Sequence, residues 1–156
     1  MESYRTLKER QQQEVNSFPL GFAFGNKQFE EMMSRWGLDA KKDSDLAQVA
    51  SLFGGAYILK KDISSYKAMC RRHHEEIAEA VAEDVTGEGF IYEMFLCELN
   101  NYEFGYTGDA SDAIEALGYT AEQVVGDPRL KRGLEKATTE ISRFEETCGA
   151  ASTEVD

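Results

Sequence analysis

Residues 48–60 read QVASLFGGAYILK, and this stretch decides the fold class. Two short apolar runs flank Gly54-Gly55, and a tight turn between antiparallel strands needs the positive φ that glycine adopts at little cost. We therefore predict a β-hairpin here. In residues 18–25, FPLGFAFG, large apolar residues alternate in part with small ones, which predicts a third strand. Because Pro19 lacks a backbone N–H, the start of this strand should lie at a sheet edge or in an entry loop. The prediction is a small antiparallel sheet within residues 18–60, with its strand order left open.

Helical patterns surround this predicted sheet. Apolar residues recur at helical spacing, glycines follow the expected ends, and capping residues precede several of the starts. The predicted helices cover residues 3–15, a segment capped by Asn26 that ends at Trp36, Asp62–Asp84, 90–102, a short segment from Asp109 or Ser111 to Leu117, a segment capped by Thr120 with Gln123, and a last helix that begins at Asp127-Pro128. Residues 39–46, DAKKDSDL, are predicted to form a polar loop. The fold class is therefore α+β, mostly helical, with the sheet in the N-terminal half.

Length and composition indicate a single folded unit. The chain has 156 residues and is 42% hydrophobic, which is enough to build a core and excludes wholesale disorder. We predict one globular domain over residues 3–148 and a flexible tail over residues 149–156. No run of 18 or more apolar residues occurs, which excludes a membrane-spanning helix.

Charge is distributed very unevenly along the chain. The formal net charge is -12, with 17 basic and 29 acidic side chains. Residues 73–128 contain 14 acids and no lysine or arginine, so this block accounts for the whole excess. Such a balance argues against direct nucleic-acid binding, which needs a basic surface. Three interpretations stay open, namely a solvated face, a surface that competes with nucleic acid for a basic groove, and partial metal binding.

The second interpretation assigns a set of partner-binding residues. These acids lie on or just after the predicted helix over Asp62–Asp84, away from its apolar stripe, or open the next short helix. Together they would form a negative field that steers a basic protein surface. The predicted contact residues are Glu75, Glu76, Glu79, Glu83, Asp84, Glu88 and Asp109.

Motifs for catalysis or metal binding are weak. Cys70 and His74 share one helix face and could begin a zinc site, but no matching pair of further ligands follows. Glu93, Glu98 and Glu103 could supply a buried general acid, although a polar outer stripe explains them as well. We assign no cofactor, metal ligand or catalytic residue, and we expect a protein that is not an enzyme; a small metal-dependent enzyme is the alternative.

The cysteines indicate a reducing compartment. The chain has three cysteines, Cys70, Cys97 and Cys148, which form no CxxC pair. Because the N-terminus shows no signal-peptide pattern, we expect reduced thiols in a cytoplasm. The aromatic segment 18–36 offers a further alternative, a structural protein that forms homo-oligomers through it.

Three segments carry a resemblance to a known family. They read GGAYILKKD at 54–62, GEGFIYEMFLCELNNYEF at 87–104, and DASDAIEALGYT at 109–120 followed by DPRLKRGL at 127–134. With these segments the chain resembles, over about residues 3–145, a small family of uncharacterised proteins of phages and mobile elements in Firmicute-type bacteria. The resemblance implies no catalytic residue. It implies a context in which small acidic proteins often inhibit host defence, as anti-CRISPR proteins do.

These observations lead to one expected function. We expect a non-enzymatic acidic protein-binding module that acts as a DNA mimic. Its partner would be a basic protein surface, such as the nucleic-acid groove of a host nuclease effector.

Overall fold

A computed structural model describes residues 1–151 of the chain, and it is an α+β fold that is mostly helical. The three strands are β1 (Leu20–Phe22), β2 (Val49–Ser51) and β3 (Ala56–Leu59). The helices of the described residues are α1 (Tyr4–Ser17), α2 (Asn26–Arg35), α3 (Asp43–Leu46), α4 (Ile63–Glu83), α5 (Phe90–Asn101), α6 (Phe104–Thr107), α7 (Ser111–Ala116), α8 (Ala121–Gly126) and α9 (Pro128–Ala151). The fold class predicted from the sequence is confirmed.

The sheet is antiparallel, with strand order β1-β3-β2. Ile58 of the central strand is fully buried and faces Leu20 on one side and Ala50 on the other. Gly54 and Gly55 have φ angles of 42° and 82°, the left-handed conformation that the predicted turn requires. The predicted hairpin and third strand are therefore confirmed, and the order is now known.

The chain divides into two compact units. One contains Met1–Arg10 and Glu76–Asp156, and the other contains Gln11–Glu75. The first unit has a core built on α5, where Ile91, Met94, Phe95 and Leu99 have no exposed surface. The second unit has its own smaller cluster around Met33. The single domain over 3–148 stays a prediction, and the predicted tail over 149–156 lies, beyond Ala151, outside the described residues.

Several local details differ from the sequence interpretation. Asn26 is the first residue of α2 rather than its cap, because Gly25 occupies the extended cap position and the Gln28 side chain accepts a hydrogen bond from the Phe24 amide at 2.8 Å. The predicted polar loop at 39–46 contains the single turn α3. Helix α6 has no sequence signal, because the left-handed residue before it is Glu103, with φ 57°, rather than a glycine.

Helices α5 and α9 pack closely in the first unit because glycine lies at the contact. A Cβ atom at Gly133 of α9 would lie 2.6 Å from the Cγ2 atom of Ile91 and 2.7 Å from the carbonyl oxygen of Gly87. Gly87 itself has φ 80°, and a Cβ there would lie 2.1 Å from the carbonyl oxygen of Arg129. The loop before α5 and the start of α9 therefore meet backbone to backbone.

We expect the substitution Gly133→Ala to lower the free energy of unfolding by about 1–3 kcal/mol, because the added methyl group overpacks this contact. The matched control is Gly126→Ala at the end of α8, where a Cβ has no heavy atom within 4 Å. It should leave stability unchanged or raise it by up to about 1 kcal/mol, since alanine favours helix. Urea unfolding followed by circular dichroism measures both, and equal stabilities would contradict the close packing.

Candidate partner-binding surface

An acid-lined groove lies between α1 and the C-terminal half of α4 in the first unit. We call it the acidic groove, and its volume is about 220 Å³. Leu7 and Ala80 supply apolar lining. Met1 lines the groove as well, and the charged side chains of the lining are the carboxylates of Glu2, Glu76, Glu79 and Glu83 and the guanidinium of Arg10. Four acids therefore face one basic side chain in a concave surface.

Helix geometry explains how α4 presents its acids to the groove. Glu76, Glu79 and Glu83 are spaced three and four residues apart, so they lie on one face. Val81 turns to the other side and is buried in the core. Glu79 and Glu83 are exposed, and within residues 1–151 neither accepts a hydrogen bond from another side chain. Their charges are therefore available to a partner.

Arg10 organises one end of the groove. Its guanidinium donates to Glu76 at 3.3 Å and forms a salt bridge with Glu2 at 3.1 Å. The hydrogen bonds that the guanidinium donates to Glu2 and Glu76 raise the pKa of Arg10 above its already high usual value. Arg10 therefore neutralises part of the groove, and the charge that remains is concentrated at Glu79 and Glu83. The sequence interpretation missed Glu2 and Arg10, because no local pattern pairs residues 66 positions apart.

The other predicted acids are not all gathered here. Glu75 is exposed on the same helix but belongs to the second unit, and Glu88 is exposed in the loop between α4 and α5. Asp109 is exposed as well, and hydrogen bonds from the Ser111 hydroxyl and from the Ser111 amide at 2.9 Å lower the pKa of its carboxyl group. Neither Glu88 nor Asp109 lines the acidic groove. Their contact role stays a prediction.

Asp84 departs from the expectation of an outward-facing acid, since it is only 7% exposed. Its Oδ1 atom accepts the amides of Thr86 at 3.2 Å and Gly87 at 2.9 Å. Its Oδ2 atom accepts the amides of Gly89 at 3.1 Å and Ile91 at 3.0 Å. The carboxylate thus holds the α4–α5 loop and satisfies an otherwise unpaired amide in the first turn of α5. We exclude it from the surface proposed for a partner.

Arg129 closes the same loop from α9. Its Nη1 atom donates to the carbonyl oxygens of Val81 at 3.0 Å and Asp84 at 3.1 Å, which are last-turn acceptors that lack helical partners. Its Nη2 atom forms a salt bridge with Asp127 at 3.1 Å. The end of α4 and the start of α9 are therefore joined through one side chain.

Two of the three carboxylates considered as general acids, Glu93 and Glu98, have structural partners. Glu98 accepts the hydroxyl of Tyr4 at 2.6 Å, and Glu93 accepts the amides of Tyr4 and Arg5 at 3.3 Å each. Glu93 therefore caps the N-terminus of α1. Burial, together with the Glu98 carboxylate, raises the pKa of the Tyr4 phenol above its usual range. Glu103 is exposed at the α5–α6 junction.

The histidine and cysteine pair behaves as a local helix feature. The Nδ1 atom of exposed His74 lies 2.8 Å from the carbonyl oxygen of Cys70, one turn earlier on α4. His73 is buried, and its Nε2 atom lies 3.1 Å from the Glu14 carboxylate. Hydrogen bonds from Arg72 and His73 lower the pKa of Glu14 to about 2. In the described part of the chain, no group of three or more His, Cys, Asp or Glu side chains is arranged to hold a metal ion.

Within residues 1–151, no helix combines the length and the apolar character that spanning a bilayer requires.

Fold and site together describe a mostly helical α+β protein with an acid-lined groove. A family model described as "Family of unknown function (DUF7659)" matches residues 3–140, and the chain belongs to this family. No curated protein and no solved structure shows significant similarity to the chain. The description of the family assigns it no activity.

We expect Asp84→Asn to lower the free energy of unfolding by about 2–4 kcal/mol. The amide that replaces the carboxylate has one acceptor oxygen, and its NH₂ group would face buried backbone donors. Asp112→Asn is the matched control, because Asp112 is exposed on α7 and the charge change is the same. Urea unfolding at neutral pH compares them, and equal stabilities would contradict the anchoring role of Asp84.

The same pair of proteins gives a pH dependence. Burial by itself raises the pKa of Asp84, but hydrogen bonds from Ile91, Gly87, Thr86 and Gly89 outweigh it and leave the pKa below the usual value of 3.8. Its contribution to stability is therefore present above the unfolded-state pKa and is lost as pH falls through the folded-state value. The stability difference between wild type and Asp84→Asn should shrink from about pH 7 to about pH 2. A difference that grows on acidification would show that the carboxylate is not held in its charged form.

Proposed function

We propose that this protein is a non-enzymatic binding module whose acidic groove recognises a basic surface of a partner protein. The observation that carries the proposal is the grouping of Glu2, Glu76, Glu79 and Glu83 around one concave surface with Arg10 as its single basic side chain. A surface of this charge attracts lysine and arginine side chains and raises the rate of encounter with a basic partner.

The proposed partner is the nucleic-acid groove of a host defence nuclease. Such a groove is lined by lysine and arginine side chains that bind phosphates, and a row of carboxylates on a rigid helix presents negative charge to the same side chains. The chain would then act as a DNA mimic from a phage or mobile element, in the manner of an anti-CRISPR inhibitor. The encounter would take place in the cytoplasm of the bacterial host.

The rigidity of α4 supports this role. Arg129 fixes the C-terminal end of the helix and Asp84 fixes the loop that follows, so Glu79 and Glu83 are presented on an ordered surface. A preorganised surface loses less conformational entropy on binding than a mobile one. Two of the three acids considered for catalysis, Glu93 and Glu98, are instead hydrogen-bonded to α1, which supports binding rather than chemistry as the function.

The test uses paired charge reversals. Glu79→Lys with Glu83→Lys changes the two exposed acids of the acidic groove, whereas Glu115→Lys with Glu122→Lys changes two exposed acids on α7 and α8 by the same charge. The partner is first captured from the native host with the wild-type protein and identified by mass spectrometry. Its affinity for each purified variant is then measured by calorimetry over a range of salt concentrations.

We expect the groove variant to bind about tenfold or more weakly at about 0.1 M salt, with a flatter salt dependence. The control should change affinity by less than about twofold. Partner loaded with its nucleic acid should no longer bind the wild-type protein. Equal affinities of the two variants, or binding that is indifferent to nucleic acid, would contradict the proposal.

A second candidate function rests on an exposed aromatic patch in the second unit. Phe22, Phe24 and Phe53 are 57%, 78% and 59% exposed, which is unusual for side chains of this size. We propose homo-oligomer formation through this patch as the alternative. Sedimentation over a range of concentrations tests it: association that Phe24→Ser abolishes would support the alternative, and a monomer at every concentration would exclude it.

A further inference from the structure

The first unit contains a second concave surface, between α5, α6 and α9. We call it the aromatic groove, and its volume is about 420 Å³. Its apolar lining comes from Leu96, Tyr106, Ile141 and Phe144. Tyr106 is 89% exposed and Phe144 is 71% exposed. Large rings left in water beside a concave surface are typical of a binding site, because covering them gains hydrophobic free energy.

The remaining lining defines what kind of occupant fits. Three carboxylates, those of Glu103, Glu140 and Glu145, line the same groove, and among the residues that the structure describes no lysine, arginine or histidine does. An anionic occupant would be repelled, and a purely apolar one would desolvate the carboxylates without compensation. A lysine or arginine side chain satisfies both features, since it pairs with a carboxylate and also stacks on an aromatic face.

Backbone geometry keeps the groove open. Glu103 is the one non-glycine residue with positive φ in the described part of the chain, and its left-handed turn ends α5 and begins the turn that carries Tyr106. A Cβ at Gly105 would lie 2.6 Å from the Oε1 atom of Glu145, so the Glu145 carboxylate lies close to the backbone of this turn. Strained residues held by their surroundings are concentrated at ligand sites.

We infer that the aromatic groove binds a short amphipathic segment of a partner protein in which an apolar anchor is flanked by lysine or arginine. The volume suits a few side chains rather than a whole domain. Exposed aromatic residues at the centre of such a contact commonly dominate its affinity. This surface shares no residue with the acidic groove, so it is a second contact site that stands or fails by itself.

The probes are two designed, fluorescently labelled helical peptides of about 15 residues. One has leucine on one face and lysine beside it, and the other has glutamine in place of every lysine. Fluorescence anisotropy measures their affinity for the wild-type protein and its variants. Circular dichroism confirms that each variant is folded.

We expect Phe144→Ala and Tyr106→Ala each to weaken binding of the lysine peptide about tenfold or more. Val125→Ala is the matched control, because Val125 is 68% exposed on α8 outside the groove, and it should leave affinity unchanged. Glu140→Gln with Glu145→Gln should weaken binding and flatten its salt dependence, whereas Glu115→Gln with Glu122→Gln should not. The glutamine peptide should bind far more weakly than the lysine peptide.

Four results would overturn the inference. The lysine peptide fails to bind the wild-type protein, or the two peptides bind equally well. The double variant Glu79→Gln with Glu83→Gln no longer binds the lysine peptide, whereas Phe144→Ala still binds it, which would assign the peptide to the acidic groove. Phe144→Ala abolishes self-association seen by sedimentation, which would assign the aromatic groove to a second copy of the chain.

Discussion

The structure depends on one buried carboxylate. The Asp84 carboxylate accepts hydrogen bonds from the backbone amides of Thr86, Gly87, Gly89 and Ile91. A single side chain therefore supplies the acceptors for the tight loop between α4 and α5. The loop in turn sets where α5, the central helix of the first unit, begins. Gly87 packs directly on the backbone at the start of α9. By fixing the position of Gly87, the Asp84 carboxylate also helps to set the packing of α5 against α9.

The acids of the lysine- and arginine-free block therefore divide into two kinds. Asp84, Glu93 and Glu98 are engaged by amides or by a phenol hydroxyl and stabilise the fold. Glu79 and Glu83 remain exposed on an ordered helix face. The net charge counts the hydrogen-bonded acids and the exposed acids alike, yet only the exposed acids, Glu79 and Glu83, can attract the proposed basic partner.

Local patterns in the sequence were sufficient for the fold class. The Gly54-Gly55 hairpin, the Thr120 capping box and the helix start at Asp127-Pro128 all appear as predicted, because each is fixed by residues within a few positions of one another. Some of the details that escaped prediction depend on distant residues, and others on loop conformation. Arg10 meets Glu76 and Tyr4 meets Glu98 only after folding, and the burial of Asp84 depends on a loop whose shape no local pattern specifies.

We propose that a basic partner binds the C-terminal half of α4, on the side that carries Glu79 and Glu83. Hydrogen–deuterium exchange of the purified complex, compared with the free protein, tests this most directly. We predict that the amides of α1 and of α4 around Glu79 and Glu83 gain protection in the complex, and that added salt abolishes the gain as it dissociates the partner. Protection confined to other segments, with α4 unchanged, would contradict the account.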